Sequence, residues 1–260
     1  MKIITWNINS VRLRQGLVLR LLREQQPDVL CLQETKCPDE AFPSSVFSEA
    51  GYPYQAIRGE KGYNGVAILS RLPFTDHRHL NWVEREDCRH QAVTLEGGIH
   101  LHNFYIPAGG DVPDRVSNPK FDHKLKFLDE MKTWSGAEGA KPSILVGDLN
   151  IAPREDDVWS HKQLLRIISH TPVETEAMAS IMAAGGWQDA VRQSIPEGKL
   201  YSWWSYRARD WDAADKGRRL DHIWVTSPLV SSLRSARILR EARGWEQPSD
   251  HAPVMVGMMT

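Results

Sequence analysis

The first 34 residues follow a strand–helix–strand pattern that restricts the folds open to this chain. Buried strands are predicted at Lys2–Trp6 and Asp28–Glu34, and Pro27 ends the helix between them. That helix is predicted over residues 12–26 because apolar side chains recur at helical spacing: Leu13, Leu17, Val18, Leu21 and Leu22. A crossover helix of this length places its two strands parallel in one sheet. The pattern therefore predicts an α/β fold.

Short strands follow this unit, and helices return at two points. Antiparallel strands are predicted at Gly65–Ser70, Gln91–Leu95 and His100–Tyr105, and helices at residues 120–134 and 172–184. A buried strand occupies residues 143–146, and later strands are predicted at Tyr201–Tyr206, Leu220–Thr226, Ala236–Arg240 and Val254–Met258. No linker divides the chain. Residues 1–260 are expected to form one domain of two packed mixed sheets with helices outside.

Composition and charge describe an ordinary globular protein. Hydrophobic residues make up 41% and charged residues 25%, and the formal net charge is −1. A strongly basic nucleic-acid binder is disfavoured, so any phosphate-binding surface must be local. The three cysteines form no paired motif, and neither a signal peptide nor a membrane span is evident. We expect a cytoplasmic protein with no membrane segment.

A candidate site follows the strand at residues 143–146, where the chain is expected to break at Gly147. Asp148 and Asn150 come next, and their i, i+2 spacing puts both side chains on one side of an extended backbone. A carboxylate beside a fixed amide can orient and deprotonate water and stabilise developing charge. Taken alone, the same residues are better explained as a turn.

Polar residues end several other predicted strands, and as a set they indicate metal-dependent chemistry. Each alone has an ordinary explanation as a turn residue, a solvated carboxylate, a packed tyrosine or a surface ion pair: Asn7, Glu34, Tyr105, Asp221, Asp250 and His251. With Asp148 and Asn150 they supply carboxylates, amides, a phenol and an imidazole. Such oxygen donors suit Mg²⁺, or Mn²⁺ in its place. The set fits hydrolysis of a phosphate ester.

Seven stretches spread along the chain carry a resemblance to a known family. They start at Thr5, Leu32, Asn64, Tyr105, Gly147, Arg219 and Ser249 and read TWNINSVR, LQETK, NGVAILS, YIP, GDLNIAP, RLDH and SDHAP. The chain thereby resembles the exonuclease III family of abasic-site endonucleases, within the endonuclease/exonuclease/phosphatase superfamily. The resemblance implies a four-layer α/β sandwich with these strand ends at one rim. It also implies a Mg²⁺-dependent enzyme of base excision repair, a monomer that cleaves double-stranded DNA beside abasic sites and trims 3′ ends.

The resemblance also implies roles for individual residues. Glu34 would be the main metal ligand, Asp148 would activate or orient water, and the metal set would be Asn7, Glu34, Asp148, Asn150, Asp250 and His251. The catalytic set would be Tyr105, Asp148, Asn150, Asp221 and His251, with Asp221 orienting His251. The implied DNA contacts are Arg12, Lys36, Trp203, Arg207, Arg209, Arg219 and Leu220. Of these, Trp203 and Leu220 match positions that line the family's abasic-sugar pocket.

The chain departs from the family pattern at positions that bear on substrate preference. Ala108, Asp111 and Arg218 stand where relatives carry an amide, a basic residue and an aromatic pocket wall. Residues 157–172 differ as well. With the family's usual residues, these loops would hold an abasic site inside intact duplex DNA. We therefore hypothesise that 3′-end processing is at least as strong here as abasic-site incision.

Other functions remain open at this point. Superfamily cousins hydrolyse inositol phosphates or sphingomyelin, but the aromatic and basic stretch Tyr201–Trp211 favours DNA. An inactive DNA-binding relative would not need the intact set of carboxylates. His100 and His102 have the spacing of a zinc pair, although a solvent-facing strand edge is expected there.

Overall fold

The computed structural model describes residues 1–259, which form two six-stranded sheets and seven α-helices. The strands are β1 (Lys2–Asn7), β2 (Val29–Gln33), β3 (Tyr54–Arg58), β4 (Val66–Ser70), β5 (Phe74–Arg78), β6 (His90–Leu95), β7 (Ile99–Tyr105), β8 (Ser143–Asp148), β9 (Gln188–Asp189), β10 (Asp221–Val225), β11 (Leu233–Ile238) and β12 (Val254–Met258). The helices are α1 (Gln15–Gln25), α2 (Ser44–Glu49), α3 (Pro119–Glu138), α4 (His161–Leu164), α5 (Pro172–Gly185), α6 (Ala190–Ser194) and α7 (Trp211–Ala214).

Both sheets are mixed, and in each a parallel pair of strands lies near the middle. The first sheet has the order β11-β12-β1-β2-β4-β3, and the second has the order β5-β6-β7-β8-β10-β9. β1 runs parallel to β2, as the crossover pattern predicted, and β7 runs parallel to β8. The other paired strands are antiparallel. The ends of β1, β2, β7 and β8 are therefore central positions in the two sheets.

Three apolar clusters hold the layers together. The largest lies between the sheets and includes Ile3, Val29, Val146, Ile223 and Val256. A second cluster packs α1 and α2 on the first sheet, and a third packs α3 and α5 on the second. Removing these faces from water is the main force that stacks the layers. The predicted four-layer α/β sandwich is confirmed.

Local sequence signals explain where α1 ends and where α5 begins. α1 begins at Gln15, later than predicted, and Leu13 lies outside it with 62% of its surface exposed. It ends at Gln25, and the next residue, Gln26, adopts the left-handed conformation just before Pro27. α5 begins with Pro172 in its first turn and a capping box between Thr171 and Glu174. The predicted helices are present, with shifted boundaries.

The strand before Asp148 runs further than predicted. β8 passes through Gly147 without a break and ends at Asp148. Gly147 has a φ of +143°, and a Cβ at this position would overlap the carbonyl oxygen of Phe104 on β7. Glycine is therefore needed for the close approach of two strands rather than for a turn.

Two predictions about strands are wrong. Residues 201–206 form no strand, because Trp203 makes only isolated bridges to Arg218 and His251 and the backbone turns away on either side. His102 does not face solvent: it is 1% exposed, beneath α3, beside Glu138. Within the described residues, the structure has no helix both long and apolar enough to cross a bilayer.

Candidate active site

Three polar side chains lie side by side at the ends of neighbouring strands in the second sheet. Asp148 is the last residue of β8, and it is in register with Tyr105 on β7 and with Asp221 on β10. All three are buried, and Asp221 has no exposed surface. Strand pairing therefore brings together a phenol and two carboxylates that are far apart in the sequence.

The first sheet contributes an amide and a carboxylate to the same place. Asn7 ends β1, and Glu34 follows β2 in the left-handed conformation, with a φ of +52°. The Asn7 amide nitrogen donates to Glu34 Oε1 and to Asp148 Oδ2, each at 2.8 Å. This one amide joins the two sheets. A non-glycine residue with positive φ is uncommon and often accompanies function.

Asn150 lies against Asp148, as expected, but a turn rather than extended backbone brings it there. Its φ is +52°, and its backbone nitrogen donates to Asp148 Oδ1 at 3.0 Å. Its side-chain nitrogen donates to the Ile106 carbonyl at 2.9 Å and lies 3.3 Å from Asp148 Oδ2. The buried Lys124 ammonium donates to the Asn150 carbonyl at 2.8 Å. The turn is thus fixed from several sides.

His251 completes the group from the loop before β12. Its Nδ1 is 2.8 Å from Asp221 Oδ2, and its Nε2 is 3.7 Å from Asp148 Oδ2. The Trp6 indole donates to the His251 carbonyl at 2.9 Å, while Ser202 donates to Asp221 Oδ2 at 2.6 Å. The imidazole is therefore held between two carboxylates.

Burial and these close contacts shift the pKa values of the group. Burial raises the pKa of Asp148 above its usual value. Although burial alone lowers it, the carboxylates of Asp221 and Asp148 raise the pKa of His251 to about 10. Burial opposes charge on Glu34 too, but Lys36 and the Asn7 amide hold the pKa of Glu34 below its usual value. Burial and the nearby carboxylates raise the pKa of Tyr105 well above its usual value.

A chain of polar contacts links Glu34 to Asp250. Lys36 Nζ lies 2.7 Å from Glu34 Oε2 and donates to Asn9 Oδ1 at 2.6 Å. The Asn9 side-chain nitrogen is 3.2 Å from Asp250 Oδ1, and the Trp203 indole donates to Asp250 Oδ2 at 2.9 Å. The sequence did not single out Asn9, although its position two residues after Asn7 was a usable signal.

The donor set fits a hard divalent cation. Asp148, Asp221 and His251 lie close enough together to hold a metal ion, and Asp221 Oδ1 is buried without a hydrogen-bond partner. Glu34 and Asp148 direct carboxylate oxygens at the same Asn7 nitrogen. Oxygen-rich sites of this kind bind Mg²⁺ or Mn²⁺ rather than thiophilic metals.

A cavity of about 720 Å³ opens above these residues. Trp203 and Leu220 line it, as do Arg207 and the unpredicted residues Trp159, Ile168 and Lys216. Arg12 and Arg209 are exposed but lie outside its lining, and Lys36 is paired with Glu34. Trp203 and Leu220 thus line the same cavity as Glu34, Asp148 and His251.

Arg219 does not face the cavity, and the prediction that it contacts DNA is wrong. The side chain has no exposed surface. Its Nε lies 2.8 Å from Asp157 Oδ1 and its Nη2 lies 2.7 Å from Asp189 Oδ2. A buried guanidinium between two carboxylates is a structural ion pair, and it cannot reach a phosphate on the surface.

Comparison with known proteins agrees with this geometry. A sequence model of the endonuclease/exonuclease/phosphatase family matches residues 4–251. The chain belongs to this family. Exodeoxyribonuclease III of Haemophilus influenzae is 32% identical over 98% of each chain. The predicted resemblance to the exonuclease III family is confirmed, and the chain is a hydrolytic nuclease of this type.

Solved structures of two relatives have the same fold over the whole chain. A structure of NExo, a 3′ phosphatase from Neisseria bound to a product DNA hairpin, matches with a TM-score of 0.93 and 32% identity, covering 100% of both chains. An AP endonuclease from Archaeoglobus fulgidus matches with a TM-score of 0.93 and 30% identity, again covering 100% of both chains. One relative is named as a 3′ phosphatase and the other as an AP endonuclease. Similarity alone therefore does not show which of these two activities is the stronger one in this protein.

Proposed function

We propose that the protein is a Mg²⁺-dependent DNA repair nuclease that hydrolyses phosphodiester bonds at 3′ ends and at abasic sites. One observation supports this most strongly. The Asn7 amide joins Glu34 of one sheet to Asp148 of the other, beside His251, at the base of a single cavity. A site that collects carboxylates, an imidazole and a phenol in this way suits hydrolysis of a phosphate ester.

The side chains divide into two groups by role. Asn7, Glu34 and Asp250 would hold Mg²⁺, and Asp148, Asn150 and His251 would lie next to the bound ion. The cation would stabilise negative charge on the phosphate. Asp148 would orient and deprotonate the attacking water, because the Asn150 backbone fixes its Oδ1. His251, held by Asp221, would stabilise charge that develops on the phosphate oxygens. Tyr105 borders the same cavity and would contact the phosphate.

The substrate would be double-stranded DNA bound by a one-domain monomer in the cytoplasm. Trp203 and Leu220 would accept the group beyond the scissile phosphate, and exposed cations would contact the backbone, namely Arg12, Arg207 and Arg209. Lys36 would contact DNA closer to the proposed metal site, because it forms an ion pair with Glu34. Because Ala108 and Asp111 line the cavity rim without a basic side chain to enter the duplex, 3′-end processing would be at least as fast as internal incision.

Two duplexes of the same sequence test the proposal, one with a 3′-phosphate end and one with an internal abasic-site analogue. Single-turnover rates with Mg²⁺ should be at least as high for the 3′ end. Asp148→Asn should lower both rates by about 10²–10⁴. Asp129→Asn, which removes an exposed carboxylate on α3, should leave both unchanged. An overwhelming preference for the internal site would contradict the expected 3′-end preference. Absence of metal-dependent cleavage on either duplex would contradict the nuclease itself.

A further inference from the structure

Arg218 forms part of the cavity wall, next to Trp203. Its backbone nitrogen and the Trp203 carbonyl are 3.0 Å apart, and its guanidinium carbon lies 5.2 Å from the centre of the Trp203 ring. Its Nη1 donates to the Ile168 carbonyl at 3.1 Å and to Ser169 Oγ at 2.9 Å. The guanidinium is therefore fixed in the wall by neutral partners.

Arg218 lacks the counter-ions that its neighbour has. Arg219 lies between the carboxylates of Asp157 and Asp189, but among residues 1–259 no carboxylate forms an ion pair with Arg218. Its Nε is buried without a partner, and its Nη2 is neither buried nor hydrogen-bonded within that part of the chain. The Glu174 carboxylate acts on Arg218 from a distance, but it forms its ion pair with Lys124, at 2.6 Å. A partly buried cation with no directly paired anion is unfavourable, and guanidinium groups pair strongly with carboxylate or phosphate oxygens.

The other cations of the cavity do not share this position. Arg207 and Lys216 are exposed, and Lys216 Nζ lies 4.7 Å from the centre of the Trp159 ring, at the outer part of the cavity. Arg218 lies in the part of the cavity wall formed by Trp203, Ile168 and Leu220. In the proposed reaction, this part of the cavity would bind the group beyond the scissile phosphate. A cation in an otherwise apolar wall discriminates by charge.

We propose that Arg218 is a specificity-determining residue that selects 3′ ends carrying a small anionic group on the scissile phosphate, over uncharged groups of the same size. Phosphoglycolate is the simplest such end, because its carboxylate can meet the free Nη2. This inference rests on the proposed function. Water adds to phosphorus while the bond to the 3′-oxygen breaks, which leaves a 3′-hydroxyl and releases free phosphoglycolate.

Two duplexes that differ only in the charge of this end test the inference. One ends in 3′-phosphoglycolate and the other in the uncharged 2-hydroxyethyl ester of the 3′-phosphate. The wild type should have a kcat/KM for the glycolate end that is roughly tenfold to a hundredfold higher, the range of a charge-assisted hydrogen bond. Arg218→Gln should bring the ratio close to one while the neutral ester is still cleaved. Arg218→Lys should keep part of the preference.

Lys216→Gln is the matched control, since it removes a cation of the same cavity and should leave the ratio unchanged. A wild-type ratio near one, or a ratio that Arg218→Gln leaves intact, would overturn the inference while the proposed function stands. If Arg218→Gln fails to fold, Arg218→Lys still tests the inference, and a wild-type ratio near one overturns it without any variant. If the wild type releases neither group, the proposed function is wrong and this inference is wrong with it.

Discussion

Replacing Arg219 with Leu should lower the stability of the fold without removing a DNA contact. The side chain is fully buried and binds Asp157 and Asp189. Breaking a buried ion pair from one side costs about 3–5 kcal/mol, because an uncompensated charge is left behind. Arg192 still pairs with Asp157, so we expect the lower end, about 3 kcal/mol. In a chain of this size, that lowers the melting temperature by about 6–12 °C.

The assay combines thermal unfolding with DNA affinity measured over a range of salt concentrations. Arg207→Gln is the contrasting variant, because Arg207 is exposed and lines the cavity. It should leave the melting temperature unchanged, weaken binding, and reduce the slope of log affinity against log salt by about one. Arg219→Leu should lower the melting temperature and, below its transition, keep the wild-type salt slope.

One result would refute this reasoning about Arg219. If Arg219→Leu melted at the wild-type temperature and lost about one unit of salt slope, the guanidinium would contact DNA phosphate. The pKa of Asp157 supports the structural role. Burial alone would raise this pKa, but Arg219 and Arg192 lower it to about 2. The carboxylate thus needs the guanidinium groups in the folded state.

Three further predictions concern the site and its surroundings. Asp148→Asn should lower kcat by about 10²–10⁴, because it removes the group that orients and deprotonates water; single-turnover rates test this, and a loss below tenfold would contradict it. A chelator should abolish cleavage, and added Mg²⁺ or Mn²⁺ should restore it, since the donors are oxygen atoms; persistent cleavage in the chelator would contradict the cation site. Burial lowers the pKa of His222 to about 4, so stability should fall as the pH drops from 6.5 towards 4 because only the unfolded chain takes up the proton there. In chemical unfolding at several pH values, His222→Gln should take up about one proton fewer on unfolding in this range, and an unchanged uptake would contradict the buried neutral imidazole.

The site residues at strand ends were accessible from the sequence because they depend on local patterns. A buried apolar run marks each of β1, β2, β8 and β10, and Asn7, Glu34, Asp148 and Asp221 lie at or just beyond one end of these strands. The positions of these side chains then follow from strand pairing. The resemblance to a family added the placement of these strand ends at one rim, which local patterns do not contain.

The burial of Arg219 could not be predicted in this way. Its partner Asp157 is 62 residues away, in a loop between β8 and α4. No local pattern marks that contact, and the arginine lies two residues before Asp221 in a stretch that matched the family. The prediction of a strand at residues 201–206 was wrong for a related reason. Its aromatic residues have high strand propensity, but tertiary contacts to Arg218 and His251 determine its path.

A second group of side chains has metal-like spacing, and its hydrogen bonds decide what it does. His100, His102 and Glu138 lie close enough together to hold an ion. The Leu80 backbone nitrogen donates to His90 Nδ1 at 3.0 Å, so the proton of neutral His90 must be on Nε2. Burial lowers the pKa of His90 well below its usual value, which keeps the ring neutral.

The position of the proton on His90 also determines the position of the proton on His102. His90 Nε2 lies 3.1 Å from His102 Nδ1, which must accept the hydrogen bond, so His102 carries its proton on Nε2. This nitrogen faces Glu138 Oε1 at 3.3 Å. A metal at His102 would need the Nε2 lone pair, and the ring would then lose its only proton while His90 still donates to Nδ1. The group is therefore a hydrogen-bonded chain that fixes the second sheet beneath α3, and we expect the cation to bind at the oxygen donors around Asp148 instead.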